Sequence, residues 1–164
     1  MLKKEIIANV FMIVLGTLMH FAYQLSNQNP IVGMFVPINE SVWEHLKLLF
    51  FPGLFYFLGE TFFQKEKLPH QWIAFIFSQF KGLIFIPTSF YTYTGIIGKH
   101  FLIIDIVIFV LAVFLSNRLK YRLLKEKRDY PRWTNPFVVM AVLVLIGLFW
   151  GFTFFPPALP FFSP

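Results

Sequence analysis

The chain has 164 residues, of which 57% are hydrophobic and only 13% are charged. A soluble domain carries roughly a quarter charged residues, so this composition excludes an ordinary water-facing exterior and indicates that lipid is much of the solvent. The length allows a single domain, 1–164, and the absence of Cys excludes disulfides, thiolate catalysis and cysteine-ligated metals.

Five apolar segments approach the ~20 residues that span a bilayer, and they predict an all-α integral membrane bundle. In chain order they cover about 6–23, 41–63, 71–86, 100–115 and 136–155. The first follows a charged start and lacks a small-residue cleavage site, so we interpret it as a retained signal-anchor helix. Pro87 is expected to end the third segment, because proline disfavours a continuing helix.

Lys and Arg are distributed unequally between the two sides of these segments. If the five spans alternate, eleven basic residues fall on one side, in the N-terminus, at 65–67 and in 118–132, whereas only Lys99 clearly falls on the other. The positive-inside rule therefore predicts a cytoplasmic N-terminus and an extracytoplasmic C-terminus. We attribute the net charge of +6 to contact with anionic membrane lipids and expect no nucleic-acid partner.

Ionisable residues lie at a similar depth in four of the segments, toward the extracytoplasmic side. At 1.5 Å per residue they fall within about 10 Å of the outer helix ends. Each charge inside a span costs roughly 2.5–3.5 kcal/mol, so a chain that keeps several uses them for packing or for chemistry. Lys81 and Asp105 are predicted to form a direct or water-bridged contact across consecutive helices. The residues at this level are His20, Glu44, Lys47, Lys81 and Asp105, with His100 at the mouth.

The densest polar segment runs from Pro37 to Lys47 and reads PINESVWEHLK. On a helix, Glu40, Glu44 and Lys47 share a narrow arc, and His45 projects about 100° away from Glu44. Ser41 and Glu44 also have the spacing of a capping box, in which each side chain satisfies a free backbone N–H. Both interpretations of Glu44, as a ligand group and as a cap, remain open.

This segment, with the HFAY run from His20 to Tyr23 upstream, resembles an uncharacterised family of small bacterial multi-pass membrane proteins. The resemblance covers about the first 60 residues, with the rest of the chain similar only in its hydrophobic pattern. It implies a bacterial cell membrane location and directs attention to the polar residues between positions 39 and 47. It implies no activity and no substrate.

The candidate residues support a polar pocket in the outer leaflet that binds or acts on a lipid or a small polar ligand. A metal version would use His20, Glu44 and Asp105, with His45 or His100 as a further ligand, and zinc as the cofactor. No H-x-x-x-H or H-E-x-x-H spacing supports it. Candidates for catalysis are Glu44, His20 and Asp105, and candidates for ligand binding are Glu40, Glu44, His45, Lys47, Lys81 and His100.

Two other classes of function remain open. Intramembrane Lys and Asp occur in ion and small-solute pathways, although the short chain has no internal repeat typical of transporters. Alternatively the protein is a structural or accessory subunit whose charges pair internally. Gly147 and Gly151 form a G-x-x-x-G step, which favours close helix packing within the bundle or in a homo-oligomer.

Overall fold

The computed structural model describes residues 2–63, 70–126, 131 and 134–163, and this part of the chain is helical, without strands. Five of the helices in these residues are long and apolar enough to cross a membrane. The prediction of an all-helical chain with five such helices is confirmed. In order they are α1 (Leu2–Leu25), α2 (Pro30–Gly33), α3 (Val42–Phe63), α4 (Gln71–Ile97), α5 (Leu102–Glu126) and α6 (Thr134–Phe154), followed by a 3₁₀ turn (Pro160–Phe162).

The predicted end of the third segment is wrong, because α4 continues through Pro87 to Ile97. The hydroxyls of Thr88, Thr92 and Thr94 each donate a hydrogen bond of 2.6–2.7 Å to the carbonyl four residues earlier. These polar side chains are therefore satisfied inside the helix and do not require a loop. The helix ends at Gly98, whose φ of 81° lies in the left-handed region that glycine adopts without strain.

The predicted fourth segment is also too short at its C-terminal end. Instead of stopping at 115, α5 continues to Glu126, so much of the predicted basic connection is helical. The first helix likewise extends beyond its predicted bounds, whereas α3 and α6 agree with the sequence to within two residues. The basic residues at 65–67 and 127–128 lie outside the described residues.

Packing of the helices centres on α3, the most buried of the five spans. Its Leu49, Phe50 and Phe51 are fully buried and form the core together with Phe75 of α4. α4 and α5 pack along each other, and α1 packs against α3 and α5. We call the end where α1 and α4 finish and α3 and α5 begin the upper end, and the opposite end the lower end.

Two glycines allow backbones to approach closely where these helices cross. A Cβ added at Gly16 would lie 2.7 Å from the ring of Phe109 and 2.8 Å from the carbonyl oxygen of Leu48. A Cβ at Gly82 would overlap the side chain of Ser116. Small residues at helix contacts are typical of membrane bundles, and here they bring α1, α3, α4 and α5 together at one level.

The last helix packs differently. α6 is the least buried of the five spans, and Gly147 and Gly151 face open space with no heavy atom near an added Cβ. The G-x-x-x-G step therefore does not mediate packing within the described part of the bundle.

Candidate functional site

The upper end of the bundle contains a buried ion pair within α3. Lys47 Nζ lies 2.8 Å from Glu44 Oε2, and the two side chains are 0% and 2% exposed. Lys47 also donates to the carbonyl oxygens of Gly33, at 2.8 Å, and Val36, at 3.3 Å. All three ammonium hydrogens therefore have acceptors, so the cation is satisfied by the protein itself.

Glu44 is satisfied to a similar extent. Its Oε2 accepts a hydrogen bond from the backbone N–H of Ile38 at 3.0 Å, and its Oε1 lies 2.9 Å from the hydroxyl oxygen of Thr153, whose single proton is shared with the carbonyl oxygen of Phe149 at 2.7 Å. The carboxylate thus joins the segment before α3 to α6, while Lys47 joins α3 to the region around α2. Every charged atom in this Glu44–Lys47 network has a partner, which is the arrangement that a buried pair needs in order to persist.

Only one of the two hydrogen bonds of the predicted capping box forms at the start of α3. Ser41 Oγ accepts from the backbone N–H of Glu44 at 3.3 Å. The reciprocal bond is absent, because the N–H of Ser41 donates to Asn39 Oδ1 at 2.9 Å and Glu44 is engaged elsewhere. Ser41 therefore caps α3, and Glu44 is free to pair with Lys47 one turn into the helix.

A second cluster at the upper end is more open. His45 Nε2 lies 3.3 Å from Glu40 Oε2, and the rings of His45 and His20 are 5.2 Å apart between centroids, tilted by 41°. The side chains of His45 and Glu40 are 32% and 70% exposed, so the cluster reaches the surface. His20 is partly buried, and its Nδ1 is shielded from solvent without a hydrogen-bond partner.

Among the described residues, these three side chains form a group close enough to hold a metal ion. One ligand atom each from His20, Glu40 and His45 lie within 4.8 Å of one another. The predicted set of His20, Glu44 and Asp105 is not brought together as such a group in this part of the chain. Glu40 replaces Glu44 because the loop before α3 carries Glu40 back toward His45, whereas Glu44 turns inward to Lys47.

Asp105 belongs to a third cluster at the upper end. It accepts a hydrogen bond from the hydroxyl of Tyr93, and its Oδ2 lies 3.3 Å from His100 Nδ1. The Tyr93 hydroxyl in turn accepts from the backbone N–H of Phe101 at 3.1 Å. This cluster ties the end of α4 to the start of α5. His100, 71% exposed in its side chain, stands at the surface as predicted for the mouth of the bundle.

The predicted direct contact between Lys81 and Asp105 is wrong. Lys81 is exposed on α4 and takes part in none of the ion pairs formed by the described residues. Its neighbour Gly82 faces Ala112, which lies seven residues, or about 10 Å, further along α5 than Asp105. The pair fails because α4 is longer than predicted, which places Lys81 deeper than Asp105.

The sequence reasoning missed a buried ion pair at the lower end. Lys120 Nζ lies 2.9 Å from Glu60 Oε2, with side chains 4% and 11% exposed. Tyr121 donates its hydroxyl to the same carboxylate at 3.2 Å, and Lys120 stands over the rings of Tyr56 and Tyr121 at 5.0 and 4.6 Å. The signal was available, because the polar stripe of α5 through Ser116 reaches Lys120 one turn later.

Comparison with known proteins gives a family without an activity. Residues 1–164 match the model of a family described as being of unknown function, DUF6512. No curated protein and no solved structure matches the chain. The match covers every cluster described above, and its description assigns no role to any of them.

Proposed function

Because the chain belongs to DUF6512, a family of unknown function, we propose its function from the geometry of the upper end: it is a multi-pass membrane protein that binds a small polar ligand there. His20, Glu40 and His45 are the contacts, and the Glu44–Lys47 network holds the start of α3 in place beneath them. The upper end is extracytoplasmic in this proposal, and the ligand arrives from the outer medium or from lipid headgroups.

The distribution of basic residues supports this orientation. Lys4 lies at the lower end, where its carbonyl oxygen is 3.4 Å from the hydroxyl of Tyr56 and 3.3 Å from that of Tyr121. Arg118 lies at the same end, 3.6 Å from Glu5. The N-terminal and the 118–126 basic residues thus share one end of the bundle, the cytoplasmic one by the positive-inside rule.

One contrast carries the proposal. The buried charges of the Glu44–Lys47 network are all satisfied by the protein, whereas His20 has no hydrogen bond among the described residues and Glu40 is largely exposed. A polar group that is shielded from water and unpaired costs roughly 1–3 kcal/mol. A ligand that contacts His20 would supply the missing partner, and the exposed Glu40 beside His45 would give it a second polar contact.

Native mass spectrometry of protein extracted in mild detergent tests the binding. The wild type is expected to retain a small ligand, and His45→Gln is expected to lose it while the protein stays folded. His100→Gln is the matched control, because His100 is an exposed histidine at the same end but in another cluster. A wild-type protein that carries no added mass, or equal retention by all three proteins, contradicts the proposal.

Cysteine accessibility tests the orientation, and the natural chain has no Cys to interfere. Lys99→Cys and Lys125→Cys replace exposed lysines at the upper and lower ends. A membrane-impermeant maleimide added to intact cells is expected to label position 99 and not position 125. Equal labelling would contradict the proposed topology.

The internally satisfied pairs favour a second candidate, a structural or accessory membrane subunit. Both buried pairs, Glu44 with Lys47 and Glu60 with Lys120, serve helix packing. In that case extraction is expected to yield a stable complex with another polypeptide and no small ligand. Size-exclusion chromatography with detection of bound protein separates the two candidates.

A further inference from the structure

We infer that the ligand bound by His20, Glu40 and His45 is a divalent transition-metal ion, and that Zn²⁺ fits these donors best. The inference rests on the proposed function and names the ligand class of the same site. Its donors are the two imidazoles of His20 and His45 and the carboxylate of Glu40.

The spacing of two donors already fits a metal. Ligands bound at 2.0–2.1 Å to a tetrahedral zinc stand about 3.3 Å apart. His45 Nε2 and Glu40 Oε2 are separated by 3.3 Å. All three ligand atoms lie within 4.8 Å of one another, so a third donor stands close to the first two. Glu40, on an exposed turn, has the freedom to make that adjustment.

The orientation of His45 selects the nitrogen that would bind. Its Nδ1 lies 2.9 Å from the carbonyl oxygen of Ser41, and since a carbonyl only accepts, Nδ1 carries the proton. Nε2 therefore faces the Glu40 carboxylate at 3.3 Å, a contact that either a proton on Nε2 or a metal ion bound by both atoms would favour. A backbone carbonyl on the far nitrogen is the usual outer support of a metal-bound histidine.

His20 can supply the third donor, because its ring packs against Phe21, with 5.1 Å between centroids, without using a nitrogen. No hydrogen bond is formed by either ring nitrogen among the described residues, and Nδ1 is shielded from solvent. The ring nevertheless packs beside His45, with 5.2 Å between centroids. A bond to a metal would use a nitrogen that is otherwise without a partner.

The donor set and its exposure indicate which ions fit. Imidazole nitrogens favour Zn²⁺ over hard cations such as Ca²⁺ and Mg²⁺, which take oxygen ligands. Three protein ligands leave a fourth position for water, as in open zinc sites. The 70% exposure of the Glu40 side chain places that position toward solvent at the upper end. The ion would therefore exchange with the outer medium.

Titration with Zn²⁺ alone tests the inference, on full-length protein in mild detergent with a tag that contains no histidine. Isothermal titration calorimetry is expected to give one Zn²⁺ per chain for the wild type and for His100→Gln. In His45→Gln and His20→Gln the affinity should fall by more than about 100-fold, the upper end of what outer-shell changes cost. Glu40→Gln alters only an exposed side chain and keeps the test valid if a histidine variant fails to fold.

Co²⁺ provides a second readout, because a tetrahedral site gives it strong visible absorption. The wild type should develop these bands, and Glu40→Gln should not. Absence of stoichiometric Zn²⁺ binding by the wild type, or unchanged affinity in all three cluster variants, overturns the metal inference. If Zn²⁺ does not bind but the mass-spectrometric ligand is still lost in His45→Gln, the metal inference alone fails. If the wild type neither binds Zn²⁺ nor retains a ligand that depends on His45, the proposed function fails as well.

Discussion

Replacing Lys47 by Met is expected to destabilise the bundle strongly. The substitution keeps most of the side-chain volume but removes the cation that lies 2.8 Å from Glu44. It also leaves the carbonyl oxygens of Gly33 and Val36 without their donor. Breaking a buried pair by removing one partner costs about 3–5 kcal/mol, because the remaining charge is uncompensated. The free energy of unfolding should fall by that amount.

The double-mutant cycle isolates the contribution of the pair. Glu44→Gln alone removes the negative charge and keeps an oxygen for only one of Ile38 and Thr153, which contact different carboxylate oxygens, so its cost combines the unpaired ammonium with one altered hydrogen bond. In the double variant neither charge is buried, and the loss should be smaller than the sum of the single losses by about 0.5–3 kcal/mol. Titration with SDS in mixed micelles, followed by tryptophan fluorescence, measures each free energy. Additive losses, or a loss below about 1 kcal/mol for Lys47→Met, would refute the reasoning.

Three further substitutions probe the packing by the same titration. Thr153→Val removes the hydroxyl that is shared between Glu44 and the carbonyl of Phe149 and should cost about 0.5–1.5 kcal/mol, the range for an ordinary hydrogen bond. Gly82→Ala should cost about 1–3 kcal/mol through overpacking, whereas Gly147→Ala, which faces open space, should be neutral. Equal losses of stability in the two variants would contradict the close approach of α4 to α5 at Gly82. Lys81→Leu should leave stability unchanged or raise it, because Lys81 is exposed, and a loss above about 1 kcal/mol would reveal a partner.

Hydropathy was sufficient to predict the number and approximate position of the spanning helices. Segments such as 134–154 contain no charged residue, and a helix is the structure that satisfies their backbone without water. The helix ends were harder to predict. Pro87 indicated a helix end, but the helix continues and the threonine hydroxyls that follow bond to their own helix. Because the third segment was predicted to end near 86, Lys81 was placed too close to the upper end of its helix.

Partners within the site could be predicted only in part. The polar segment from Pro37 to Lys47 was identified from composition, and its polar residues do lie together at the upper end. Helical spacing placed Glu40 and Glu44 on one arc, but α3 begins only at Val42. Glu40 therefore lies before the helix and turns toward His45, while Glu44 turns inward. Sequence periodicity does not extend across a helix boundary, so it could not separate the two roles.

The position of Glu44 and Lys47 on a single helix has a consequence for how the protein enters the membrane. Residues three apart on a helix can pair as soon as that helix forms, before any neighbouring helix is present. α3 can thus be inserted as a segment without net charge from this pair, which lowers the cost of moving both ions into lipid. Glu60 and Lys120 stand on α3 and α5, so their pairing must wait until the later helix arrives. The Glu44–Lys47 pair can therefore form during insertion of α3, whereas the Glu60–Lys120 pair forms only after α5 has been added.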